Sequence, residues 1–537
     1  MKTPRSTLIQ KKSLCVVLAV IMLLATACSA QTPAQTFSAS GSTAQAAPAT
    51  TETTGKADTA KDTQITEAVT TEPEETEPEE TEPAEFNPDP SWPTGSCGAD
   101  LTWYFDAESG RLTIVGSGAM EDYDDGYSVG YPGWHAYSEE IHALSLPDGL
   151  TRIGTWAFQE CRLQKVKIPS SVASIGCCAF SNSDLQKIQF SEGLTEIERN
   201  AFYGCSLKQV KLPESLKRIG ENAFGDCPFT SITIPAGVES FGDLNGDETQ
   251  VTPFKDNELL EEIHVDPDNP KYSSIDGVLF SKDATTLLRY PCAKPGDTYT
   301  VPDGVQEIGE WAFYFCGNLK QLSLPDGLTR IGDYAFNYCE SLANLNLPDS
   351  LTGIGCEVLT GTCYESMEQN WDKGVLYLDR WLITTEEDLQ KVEIREGTVG
   401  IADYGLEWGY HSLTSVTIPN SVTYVGKMAF YNCMYLPSVV IPDSVVEIGD
   451  RAFDECSALA RVTIGSGVKR IGNRAFDNCD ALTVVEIPAS VTEIGEDAFG
   501  YSYRQQYKLV PGFTIHGKAG SAAQAYAEEN GFAFVAE

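Results

Sequence analysis

Residues 436–456 read LPSVVIPDSVVEIGDRAFDEC, residues 459–479 read LARVTIGSGVKRIGNRAFDNC, and residues 482–502 read LTVVEIPASVTEIGEDAFGYS. One phrase, Leu-x-x-Val-x-Ile-Pro-x-x-Val-x-x-Ile-Gly-x-x-Ala-Phe-x-x-Cys, underlies all three, and it recurs from about residue 141 to residue 499. Its Ala-Phe pairs end at Phe158, Phe180, Phe202 and Phe224, spaced by 22 residues, and at Phe430, Phe453, Phe476 and Phe499, spaced by 23. A fixed period of this length is the signature of a solenoid, whose units bury against their neighbours what no single unit can bury alone. Such an architecture offers an extended surface rather than one catalytic pocket.

The columns of the phrase predict the unit. Val-x-Ile before the proline alternates as a strand does, for example Val166 and Ile168 with Lys165 and Lys167 between and beside them. Proline ends that strand at Pro169, Pro213, Pro235, Pro325, Pro348, Pro419, Pro442 and Pro488, where a missing amide is tolerated at a ladder end. Ile-Gly reads as a core residue beside a tight bend, and Ala-Phe as a small-large pair forming a core column on the convex side. About fourteen turns are expected, including one with its strand near Val210. Residues 266–297 and 364–391 break the period and carry Gly277-Val278-Leu279-Phe280 and Gly374-Val375-Leu376-Tyr377, each before an alternating apolar run. Both read as inserted β-hairpins or as looser turns. They divide the repeats into blocks at 141–265, 298–363 and 392–507. Residues 96–140 predict an N-terminal β-hairpin cap, with Trp103, Phe105, Leu112 and Ile114 around a Glu-Ser-Gly turn. Residues 508–537 predict a C-terminal cap of strand, short helix and strand.

The chain has 537 residues and a formal net charge of −40. A solenoid grows by adding turns, so this length requires no second folded domain. The charge argues against nucleic acid or an anionic membrane surface as a partner. Lys2, Arg5, Lys11 and Lys12 precede an apolar run from Leu14 to Leu24 and then Ala25-Thr26-Ala27-Cys28, the pattern of a secretion signal over residues 1–27. The small residues before Cys28 resemble a bacterial lipobox, which implies lipidation of Cys28 as the membrane anchor; the alternative is cleavage after Ala27 or Ala30 with release. Residues 28–95, rich in Thr, Pro and Glu, include TTEPEETEPEETEPAE at 70–85 and read as a disordered stalk. Its reach lies between roughly 45 Å as a flexible coil and about 200 Å as extended polyproline.

The sixteen cysteines of an exported chain suggest disulfides, yet their placement argues for thiols. Cys161, Cys205, Cys227, Cys316, Cys339, Cys433, Cys456 and Cys479 each follow the repeat Phe by three residues, so they form one stacked column. Parallel stacked side chains do not face each other as a disulfide requires. Ser183 and Ser502 occupy the same column, which undercuts a metal or redox role, and Cys356 with Cys363 is the one pair whose spacing leaves a bridge open. Catalytic motifs, cofactor fingerprints and Cys-x-x-Cys zinc spacing are absent from the sequence. Asp122–Gly126 and Asp243–Glu248 are oxygen-rich loops short of a full calcium loop and read as solvated acidic turns. The outward strand residues Lys165, Lys167, Lys187, Gln189, Gln209 and Lys211 are expected to cluster over three turns as a basic, amide-rich patch on the concave face. That patch reads either as a site for an acidic ligand or as a solubilising surface. Trp134, Trp311, Trp371, Trp381 and Trp408 are scattered rather than aligned.

The Ile-Gly-x-x-Ala-Phe-x-x-Cys motif and the end segments, over residues 96–537, resemble the BspA-like family of bacterial surface leucine-rich repeats. The resemblance implies a β-rich leucine-rich-repeat solenoid of about 14 turns of 22–23 residues, displayed outside the cell to bind host, matrix, bacterial or polysaccharide ligands. The expected protein is a monomeric, non-catalytic adhesin or receptor that uses no cofactor or metal and meets the membrane only through Cys28. The competing readings are a surface enzyme with a site within residues 364–411 and a structural envelope component.

Overall fold

The computed structural model describes residues 86–124, 130–242, 253–407, 412–502 and 508–537. The signal segment, Cys28 and the stalk up to residue 85 lie outside the described residues, as do Gly126, the 243–248 loop and Trp408. The chain from Trp92 onward forms a β-solenoid of about 16 turns, close to the number expected from the sequence. No described helix is long and apolar enough to cross a membrane.

Each regular turn contributes two strands rather than the one expected. The pre-proline segment forms the first, as in Ser438–Ile441 paired in parallel with Arg461–Ile464. The second is the Ile-Gly segment, which the sequence presented as a bend. Tyr424–Val425, Glu447–Ile448, Arg470–Ile471 and Glu493–Ile494 are two-residue strands in parallel register. These short strands build the longer sheets, of nine, six and eight strands, whereas the pre-proline strands pair only in twos and threes. The glycine is required by the stacking itself. A Cβ on Gly472 would stand 2.5 Å from the Asp450 amide nitrogen, and one on Gly495 would stand 2.4 Å from that of Asn473.

The Ala-Phe corner carries a further set of bonds along the solenoid axis. Phe180, Phe453 and Phe476 donate their amides at 2.8 Å to the carbonyls of Ala201, Ala475 and Ala498 in the next turn. The residue before each Ala-Phe is left-handed although it is not glycine, as at Arg451 (φ 54°), Arg474 (φ 53°) and Asp497 (φ 54°). That conformation costs on the order of 1–2 kcal/mol for an L-residue. Inter-turn bonds such as Arg451 N to Asn473 O and Arg474 N to Glu496 O, both 2.8 Å, hold it in place. The phenylalanines stack ring on ring, 4.7 Å between Phe430 and Phe453 and 5.0 Å between Phe453 and Phe476, with planes within 6° of parallel. Trp134 extends one column at the N-terminal side, 5.6 Å from Phe158.

All fourteen described cysteines are thiols, and no disulfide joins Cys356 to Cys363. The column thiols also have a polar role. Cys205, Cys456 and Cys479 donate to the carbonyls of Phe180, Phe430 and Phe453, one turn back, at 3.1–3.2 Å. Burial drives the Cys161 and Cys205 thiols up to about 12, so they stay protonated and able to donate.

The two interruptions of the period are built alike. Tyr272–Ile275, Val278–Ser281 and Thr286–Arg289 form an antiparallel meander whose last strand joins the Ile-Gly ladder beside Glu307–Ile308. Trp371–Asp372, Val375–Leu378 and Trp381–Thr385 repeat this arrangement, the last strand pairing in parallel with Gly400–Ile401. At the N-terminal side, Asp100–Asp106 and Arg111–Ala119 pair antiparallel and the latter continues in parallel to Gly149–Ile153. At the C-terminal side, Thr514–Gly517 pairs with Val484–Ile487, and the helix Ala522–Asn530 leads to Ala533–Ala536.

Two tests follow from this packing. Gly472→Ala drives a methyl group into the backbone of the preceding turn and is expected to cost about 2 kcal/mol. Gly317→Ala, where a Cβ meets nothing within 4 Å, should be near neutral in the same denaturant titration. Asp477 is 2 % exposed, and burial together with the neighbouring Asp454 carboxylate pushes its carboxyl up to about 7. Its folded form therefore keeps a proton that the unfolded chain has lost, so the stability this carboxyl contributes is fullest below about pH 4 and is lost as pH rises toward 7. Thermal melts from pH 8 down to pH 5 should show rising midpoints. Asp477→Asn should flatten that slope by on the order of 3 kcal/mol at neutral pH.

Candidate binding surfaces

The six residues expected to form a basic patch are all exposed. Four of them sit on one pair of strands: Lys165 is the register partner of Lys187, and Lys167 that of Gln189. Gln209 and Lys211 are not on a strand, which corrects the strand expected near Val210. In the preceding turn Phe190 takes the position that Ile168 and Leu212 hold in the turns on either side, Ser191 takes the proline position, and the Phe190 ring meets Phe202 edge-on at 5.7 Å. A cleft of about 350 Å³ opens there, lined by Gln189 and Phe190 on one side and Lys211, Leu212 and Pro213 on the other. Glu192 and Glu214 stand at its rim, and the Glu192 carboxylate accepts the amides of Glu214 and Ser215 at 3.2 and 3.0 Å. The patch is therefore one four-residue platform beside a cleft, not three equivalent rungs.

The Ile-Gly ladder carries a second surface that the sequence reading passed over. In three stretches its outward residues, Glu196 and Arg218, Glu307 and Arg330, and Glu447, Arg470 and Glu493, alternate in sign and pair across the rungs. Arg470 bonds Glu447 at 2.7 Å and Glu493 at 3.2 Å, Arg330 faces Glu307 at 3.6 Å, and Arg218 pairs with Glu196. The signal was present in the residue before the column isoleucine, which is Arg at 218, 330 and 470 and Glu at 196, 307, 447 and 493.

The region 357–407 holds the carboxylates that a surface enzyme would need. Glu357, Glu365, Asp403 and Glu407 line one enclosed cavity with Leu359, Leu376 and Ile383. Burial holds the Asp403 carboxyl up at about 6, against the opposing pull of Arg330 at 3.7 Å, and burial also raises Glu407. The cavity measures about 20 Å³, room for one water and for no sugar ring or peptide. Glu365 is tied into the local turn, where its Oε2 accepts the Gly361 amide at 2.9 Å. The group is thus a packed polar core for the second meander. Among the described residues, no group of three or more His, Cys, Asp or Glu side chains is placed to hold a metal ion. Asp122, in one of the acidic loops, bonds Arg152 and accepts the Thr155 amide at 2.8 Å. Trp134 is fully buried, and Trp371 donates its indole N–H to the Glu365 carbonyl at 2.7 Å.

Among curated proteins, none matches this chain in sequence. Several solved structures share the repeat pattern at low identity. A leucine-rich repeat protein from Eubacterium ventriosum is 24 % identical, covers 76 % of this chain and 94 % of its own, and superposes with a TM-score of 0.43. A leucine rich cell surface protein from Faecalibacterium prausnitzii is 23 % identical over 71 % of this chain and 96 % of its own, with a TM-score of 0.37. The pneumococcal vaccine antigen PcpA is 17 % identical over 82 % of this chain and 98 % of its own, with a TM-score of 0.36. The family model for the BspA type leucine rich repeat region matches in six copies over residues 134–245, 295–404 and 399–515. With more than half of its length matched by that model and its turns stacked as the motif requires, the chain belongs to the BspA-type leucine-rich-repeat family.

Proposed function

We propose that this chain is a non-catalytic binding protein of the bacterial cell surface, exported by its N-terminal signal and anchored through Cys28. In this reading the solenoid recognises an acidic polymer, either an anionic polysaccharide or an acidic protein segment. Membership in a repeat family supports the coarser part, a role carried by the repeat surface. The observation that carries the finer part is the direct opposition of Lys165 and Lys187 on paired strands, with Lys167 and Gln189 at the adjoining rung. Like charges opposite each other across a ladder oppose folding. On a chain of net charge −40 they stand out as a local field of the other sign. An extended acidic ligand laid over these rungs would meet both lysines and pass the cleft beside Lys211. No reaction is assigned to the chain, and the fold itself does not dictate the ligand.

The test is a binding titration of the full chain against polygalacturonate and heparin at low and high salt. Binding is expected to be saturable and to weaken with salt. Joint replacement of Lys165, Lys167, Lys187 and Lys211 by alanine should weaken it at least tenfold, about 1.4 kcal/mol, with unchanged thermal unfolding. Salt-insensitive binding, or binding that survives the fourfold variant, would remove the patch from the function.

A further inference from the structure

The charged rungs of the Ile-Gly ladder give way at one place to glycine. At the rung occupied by Glu307 and Arg330 in two successive turns, the next turn has Gly353, and the strand Gly353–Ile354 ends its sheet. The following sheet resumes with Trp381, whose register partner is Gly400, itself followed by Tyr424. The Trp381 ring lies flat against the missing side chain of Gly400, where a Cβ would come within 2.3 Å of it. Between the two sheets a cleft of about 450 Å³ opens, lined by Arg330, Thr352, Gly353, Trp381, Tyr424 and Glu447. That volume falls within the range of small-molecule sites.

Gly353 is the centre of the cleft. A Cβ there would stand 3.4 Å from Arg330 Nη1 and 4.0 Å from the Tyr424 hydroxyl, so guanidinium and phenol converge over a space that glycine leaves empty. The carboxylates facing Arg330, Glu307 and Asp403, stand at 3.6 and 3.7 Å, longer than hydrogen bonds, which leaves guanidinium N–H groups to donate into the cleft. Arg330 is held fully charged by those carboxylates and by Tyr424. Tyr424 and the edge of Trp381, centroids 6.0 Å apart, supply the apolar wall.

We infer that this cleft is a second binding site, for one or two sugar units of a neutral polysaccharide. The inference rests on the reading of the chain as a binding protein, but not on the lysine patch. A pyranose offers what the lining lacks: hydroxyls that accept from Arg330 and donate to Glu447, and a C–H face for the tyrosine ring. An anionic ligand is disfavoured because three carboxylates, Glu307, Asp333 and Asp403, already act on the Arg330 guanidinium, while Arg470 is taken up by Glu447 and Glu493. An extended peptide is disfavoured because the open strand is two residues long and its Ile354 carbonyl already accepts the Asp403 amide at 2.9 Å.

The experiment is affinity electrophoresis of the full chain through gels holding soluble starch, mannan or hydroxyethyl cellulose, with polygalacturonate and a random peptide library as competitors. Retardation by at least one neutral polysaccharide is expected. Gly353→Leu fills the cleft at a rung that accepts long side chains elsewhere, and should weaken retardation at least tenfold with an unchanged melting temperature. Arg330→Gln provides a second variant should the first not fold, and is expected to weaken binding severalfold. The fourfold lysine variant should bind neutral polysaccharide as the parent does, which separates this site from the patch. No retardation by any of the three polymers, undiminished retardation of both cleft variants, or displacement by peptide or polygalacturonate would overturn the inference.

Discussion

Each turn of this protein is fastened to the next by backbone amides that meet carbonyls across the stack, and this contact sets the terms for the remaining structure. It is made at three places around the turn: the pre-proline strand, the Ile-Gly strand and the Ala-Phe corner. For all three to be satisfied at one strand spacing, every turn must present the same backbone path. The consensus is the chemical record of that demand. Glycine follows isoleucine because the preceding turn's backbone occupies the place of a Cβ, and the left-handed residue before Ala-Phe is tolerated because its amide is bonded to the next turn. Phenylalanine recurs because rings at this spacing stack, and cysteine because a thiol is small enough for the column yet can still donate to a carbonyl.

Where that regularity fails, surface shape appears. Phe190, in a column held by Ile168 and Leu212 in the turns on either side, lines the cleft beside Lys211, where the next turn forms no strand. The second meander separates two sheets, and the glycines on either side of the break turn the gap into a concavity walled by Trp381 and Tyr424. In both cases the apolar columns continue beneath the break, so the solenoid keeps its core while its face changes. A repeat protein can thus acquire recognition sites by local exceptions without altering the stacking on which its stability depends.

The electrostatics follow the same division. On the Ile-Gly face, charges of opposite sign occupy successive rungs and cancel in place, as Arg470 does between Glu447 and Glu493. On the pre-proline face near the N-terminal side, the register sets Lys165 opposite Lys187, two charges of like sign. Buried carboxylates such as Asp477 and Asp403 have a raised proton affinity, which couples the stability of the stack to pH.

The sequence by itself determined the solenoid, its period, the phenylalanine and cysteine columns, and the two places where the period breaks, because each is a one-dimensional regularity that stacking preserves. It suggested the exposed lysines for the same reason: alternation along a strand assigns each residue a face. It could not reveal that Ile-Gly is a strand, since two residues carry no periodicity, nor that Gln209 and Lys211 leave the ladder, since their local pattern matches that of every other turn. The carboxylate-lined cavity at Asp403 and the cleft over Gly353 were decided only by the tertiary structure. Their walls come from turns tens of residues apart, and the deciding feature in the cleft is a side chain that is missing, which becomes visible only when its neighbours are in place.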